Sequence, residues 1–103
     1  MKIPKTLKIG GKVYAVEITD KLHMGSVMYS GEILYNNLEI HICPNAQAKM
    51  ESDFIHEMFH GIYDHLGYTD HDEKKIDELA NALYAVIVDN PGMFIPGEEG
   101  ETK

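Results

Sequence analysis

The sequence predicts an α+β domain: a small antiparallel sheet with two main helices packed on one face. Three observations predict it. Short stretches of alternating apolar and polar residues run as far as Cys43, apolar residues recur at helical spacing from Met50 to Ile87, and Pro44-Asn45 separates the two regimes. With 103 residues, 44% of them hydrophobic and 25% charged, the chain has material for one core. One domain is expected over residues 1–95, followed by a mobile Gly/Glu-rich acidic tail over 96–103.

The strands come first. Thr6-Leu7-Lys8-Ile9 and Val13 to Ile18 alternate across Gly10-Gly11, the composition of a two-residue hairpin turn. A second cluster runs from Val27-Met28-Tyr29 through a Ser30-Gly31 break to Ile33-Leu34-Tyr35 and the turn at Asn36-Asn37. Leu38, Ile40 and Ile42 then share one face of a half-buried strand, with Glu39 and His41 on the other, where His41 reads as a surface histidine. The single cysteine, Cys43, reads as a small buried hydrophobe on this strand and cannot form an intramolecular disulfide.

Two helices follow. Met50, Phe54 and Met58, with Ile55, Phe59, Ile62 and Leu66, recur at helical spacing until Gly67 stops the first helix. The acidic turn Asp70-His71-Asp72-Glu73 suits the entry to a second, in which Leu79, Ala80, Leu83, Val86 and Ile87 repeat the pattern up to Asn90-Pro91-Gly92.

Composition narrows the functional classes. Nine Lys and Arg against seventeen Asp and Glu leave a formal charge of -8, which repels a phosphate backbone, so nucleic acid is excluded as a direct ligand. No stretch approaches the roughly 20 apolar residues of a membrane span, and no basic start leads into a long apolar run. A cytoplasmic protein without membrane contact is expected.

Four of the six histidines fall between Ile55 and Lys75. His56 and His60 stand four residues apart on the first helix, hence about 40° apart on one face, where both imidazoles can bind one tetrahedral ion. Glu57 points to the side of that pair, a poor position for a ligand but a good one for a base acting on a water. These are the components of H-E-x-x-H, two ligands and a base on one rigid element. A third ligand is expected among His65, His71, Glu73, Asp77 and Glu78. With Ile76 at 0°, Ala80, Leu83 and Ile87 define the buried stripe of the second helix; Glu73 falls at about 60°, Asp77 at about 100° and Glu78 at about 200°. Glu78 therefore points away from the core, whereas Asp77 lies at the edge of the stripe. Tyr84 shares that edge, where it either donates a hydrogen bond to a ligand or an oxyanion or simply packs. His65 and His71 read as exposed.

From Phe54 to Asn90 the chain resembles the short zincin-like metallopeptidases often encoded by phages and mobile elements of bacteria, related to the ImmA/IrrE group. The resemblance rests on His56-Glu57-Met58-Phe59-His60, Asp77, Leu79-Ala80, Tyr84 and Asp89-Asn90, with a looser likeness in the hairpin "KIGGKVYAVE". It implies a zinc-dependent endopeptidase of a bacterial cytoplasm, with His56, His60 and Asp77 as zinc ligands and Glu57 as general base; the family usually carries glutamate at the position of Asp77. A peptide or protein would be the substrate, lying extended beside an edge strand, for which Leu38 to Ile42 is the expected candidate. The competing expectation is a binding module of the same fold that keeps a structural or vestigial metal and docks on a host or phage protein.

Overall fold

The computed structural model describes residues 1–23 and 30–95. The expected strand residues 27–29 and the expected tail 96–103 lie outside them.

The architecture is α+β, a four-stranded sheet covered on one face by a helix pair. β1 (Thr6–Ile9) and β2 (Lys12–Ile18) form the expected hairpin. Gly10 and Gly11 both have positive φ, 54° and 95°, the two left-handed positions that a tight hairpin turn matching the strand twist requires. β3 (Gly31–Leu34) and β4 (Glu39–Ile42) pair antiparallel around the turn that contains Asn36-Asn37. Gly31, expected as a break, is the first residue of β3.

The expectation of a wholly antiparallel sheet is corrected in one place. β2 pairs with β4 in parallel, Val16 opposite Ile40 and Ile18 opposite Ile42, so the strand order is β1-β2-β4-β3. β4 is therefore interior, and among the described residues β3, not the stretch from Leu38 to Ile42, is the edge strand on that side. Burial explains the choice. Ile40 and Ile42 are fully buried, and a strand with both neighbours paired can sit beneath a helix without leaving backbone groups unsatisfied.

α1 (Gln47–His65) lies on the sheet, packing Phe54 and Ile55 into a core with Tyr14, Ile40 and Ile42. It ends as a Schellman motif: Tyr68 N–H donates to Tyr63 O and Gly67 N–H to Asp64 O, with Gly67 at φ 90°. α2 (Glu73–Asp89) packs along α1 through Ile76, Ala80 and Ile87. Asp72 is its N-cap, accepting from Lys74 N and Lys75 N at 3.1 and 3.2 Å. Leu79 and Val86, expected in the buried repeat, are exposed at 41% and 45% because the stripe facing α1 is narrower than their positions. Among the described residues no helix is long and apolar enough to cross a membrane.

Candidate metal centre

The Schellman turn reverses the chain so that the start of α2 lies beside the second half of α1. His56 and His60 face that junction, ring centroids 5.1 Å apart. Glu73, the first residue of α2, reaches both: Oε1 lies 3.1 Å from His56 Nε2 and Oε2 lies 2.7 Å from His60 Nε2. One ligand atom from each of these three residues falls within 4.8 Å of the others. Asp77, one turn further along α2, is not in this group; its Oδ1 stands 3.4 Å from His56 Nδ1, the ring nitrogen on the other side. Asp77, expected at the edge of the stripe, is thus beside His56, and Glu73, another of the candidates, is the one that spans the histidine pair. A helical wheel ranks positions by angle alone, whereas the level along the axis places Glu73 opposite both imidazoles.

Hydrogen bonding fixes which nitrogen each imidazole presents. His71 Nε2 meets the Tyr68 carbonyl at 3.1 Å and must donate to it, which in the neutral ring leaves His71 Nδ1 an acceptor. His60 Nδ1, 2.8 Å from that nitrogen, therefore carries the hydrogen. Burial lowers the His60 pKa, with His56 and His71 acting in the same direction against Glu73, and so favours the neutral ring. The Nε2 lone pair of neutral His60 then points at a carboxylate oxygen 2.7 Å away. Two acceptors face to face at that distance need a cation between them, either a proton or a metal. His56 has the same arrangement, with the Asp77 carboxylate beside Nδ1 and Glu73 at Nε2. Two imidazoles and a carboxylate, with His71 behind His60 and the Asp77 carboxylate 3.4 Å from His56 Nδ1, form a donor set that fits zinc. His71, expected to be exposed, is half-buried and takes part in orienting His60.

Glu57 is 8% exposed and lines the same cavity of about 280 Å³ as His56, His60 and Glu73. Burial, then the charges of Glu73, Asp53 and Glu32, push its pKa up to about 8. Gly31 of β3 forms the opposite wall. A side-chain carbon there would lie 3.3 Å from Glu57 Oε2 and 3.2 Å from His41 O, so glycine is what lets the edge strand approach the carboxyl. Ile33 and Tyr35 complete that wall. The Tyr35 pKa is raised by burial and by Asp64 and Glu57, which keeps its hydroxyl a donor; it donates weakly to His60 O at 3.5 Å.

Tyr84 does not meet the histidine pair. Its hydroxyl donates to Glu51 at 2.8 Å, so the packing role holds and Tyr35 is the tyrosine at the cavity. Tyr35 carries no helical or motif signal; only the return of β3 past α1 brings it there. His65 is exposed beside Gly10 of the hairpin, and Glu78 is exposed on the outer face of α2. No protein-family model, curated protein or solved structure matches the chain.

Proposed function

We propose that the chain is a zinc-dependent metallopeptidase whose ion is held by His56 Nε2, His60 Nε2 and a carboxylate of α2, Glu73 in the arrangement described. The observation that carries this reading is the convergence of two oriented imidazoles and a carboxylate beside a buried glutamate, in a cavity bounded by an edge strand. Bound there, a divalent ion would polarise a scissile carbonyl and acidify a water. Glu57 is the base that takes the proton of that water and passes it to the leaving amine. Its raised pKa suits this task, because a carboxyl near neutrality both accepts and returns a proton. Among the described residues one side of β3 pairs with no other strand, and an extended peptide would add there and bring a peptide carbonyl over the cavity. Tyr35 is the hydroxyl placed to donate to the developing oxyanion. Asp77 positions His56 by accepting at Nδ1. The resemblance to the phage-type zincins supports the same assignment, in a bacterial cytoplasm, and differs only in favouring Asp77 as the third ligand.

The test pairs cleavage with metal content. Zinc-loaded protein, incubated with a peptide library and read by mass spectrometry, should produce cleavage that Glu57→Gln abolishes while retaining zinc. Cleavage at the wild-type rate in that variant would refute the role of Glu57. Absence of cleavage by the zinc-loaded wild type would favour the second reading, a docking module. One observation supports that second reading: an apolar groove of about 830 Å³ runs between the N-terminal segment and α2, with Phe94 and Ile95 on its rim, each 69% exposed.

A further inference from the structure

The sheet face turned away from the helices carries a second group of histidines and carboxylates. Pairing in register sets Glu32 of β3 directly opposite His41 of β4, and Glu17 of β2 opposite His41 on its other side, so all three side chains project from one face. The expectation that His41 is a surface histidine is corrected here: it is 3% exposed, and Glu32 is 4% exposed. His23, after β2, stacks its ring on that of His41, centroids 5.5 Å apart and planes inclined by 26°.

The contacts repeat the logic of the helix site. Glu39 Oε1 lies 3.0 Å from His41 Nε2 and Glu32 Oε2 lies 2.7 Å from His41 Nδ1, so in the tautomer that donates to Glu39 the Nδ1 lone pair faces Glu32. The same Glu32 oxygen accepts the backbone N–H of His23 at 2.8 Å and lies 3.4 Å from His23 Nδ1. An imidazole held from behind by a carboxylate, with its other nitrogen against a second carboxylate, is the outer-sphere arrangement that orients metal-ligating histidines. Glu17 Oε1, 3.8 Å from His41 Nε2, adds a third negative charge. His41 and Glu32 are buried, so a cation between their facing lone pairs would offset the cost of holding them out of water.

The geometry points to a second divalent-metal site, formed by His23 Nδ1, a Glu32 carboxylate oxygen and His41 Nδ1, with Glu39 orienting His41. One ligand atom from each of these three residues lies within 4.8 Å of the others. Two imidazoles and one carboxylate select zinc and neighbouring transition ions over magnesium or calcium, which prefer all-oxygen shells. Glu32 and His41 stand on paired strands, whereas the His23 side chain is 59% exposed, so an ion enters from the His23 side and ties the segment after β2 to the sheet.

Native mass spectrometry of the full chain in zinc should count two ions per chain, falling to one in His23→Ala and to one in His56→Ala/His60→Ala. His23 is chosen because removing an exposed side chain leaves the core intact, as removing His41 would not. Calorimetric zinc titration of His56→Ala/His60→Ala should show one site, weakened at least about tenfold by the further change Glu39→Ala. A single wild-type ion that His56→Ala/His60→Ala removes and His23→Ala retains, or two ions retained in His23→Ala, would overturn the site; a single wild-type ion that His23→Ala removes and His56→Ala/His60→Ala retains would uphold it and count instead against the helix cluster. A titration of His56→Ala/His60→Ala showing no binding would also overturn the site.

Discussion

The helix cluster and the sheet cluster use the same parts, two histidines and a carboxylate with an acceptor behind an imidazole, and differ in what stands next to them. Beside His56 and His60 lies Glu57, buried in a cavity of about 280 Å³ against the edge strand β3. Behind His41 stand Glu39 and Glu17, and the ring of His23 stacks on its own. On the proposed reading the first arrangement would give an ion a base and a place for a peptide, and the second would give it anchoring charge. Ligand identity therefore decides whether a metal binds, and the adjoining carboxyl and strand edge decide whether chemistry follows.

The largest effect that would sharpen this contrast comes from His56→Ala/His60→Ala, which should abolish peptide cleavage while leaving one zinc ion per chain by elemental analysis. Cleavage that persists would move the reaction away from the helix cluster. Glu57→Gln should lower cleavage by about 10² to 10⁴-fold with the zinc content of both clusters unchanged, since only the helix cluster has a base to lose. Next comes the choice of third ligand. Glu73→Ala should weaken zinc binding at the helix cluster beyond the roughly 10 to 100-fold expected of Asp77→Ala, because Glu73 spans both Nε2 atoms and Asp77 only backs His56. The reverse order in a competition titration would make Asp77 the ligand, as the resemblance implies.

A smaller effect follows from the buried carboxyl. In metal-free protein the folded chain keeps the Glu57 proton up to about pH 8, whereas the unfolded chain loses it near 4.5. Between those values the folded state binds the extra proton. Stability should therefore fall as pH rises, by up to about 1.4 kcal/mol per pH unit, and level off above the folded value. Thermal melts of Glu57→Gln should lack this slope; an identical slope would assign it to other groups. Least of all, Gly31→Ala should cost a few-fold in cleavage by pressing on Glu57 and on the β4 backbone, with the fold retained by circular dichroism.

How much of this was legible in the sequence follows the range of the signals. The hairpin at Gly10-Gly11, the stop at Gly67 and the Asp72 entry to α2 are local, and each stands where turn and cap chemistry puts it. His56, Glu57 and His60 are local too, since helical spacing alone sets them on one surface. Glu73 was within reach, being closer to the buried stripe than Asp77, but its level along the helix axis depends on how the Schellman turn docks α2. The parallel pairing of β2 with β4 is non-local, and it moved the edge strand from β4 to β3. Alternation put His41 on the outer face correctly and said nothing of the Glu32, Glu39 and His23 side chains that cover it.

The most direct test is a crystal structure of the zinc-loaded protein with anomalous data at the zinc edge. A peptidase centre on the helix pair requires a peak within about 2.2 Å of His56 Nε2 and His60 Nε2 and of a carboxylate oxygen from α2, with Glu57 facing it across the cavity. A structure with full zinc elsewhere and no peak between these two imidazoles would contradict it.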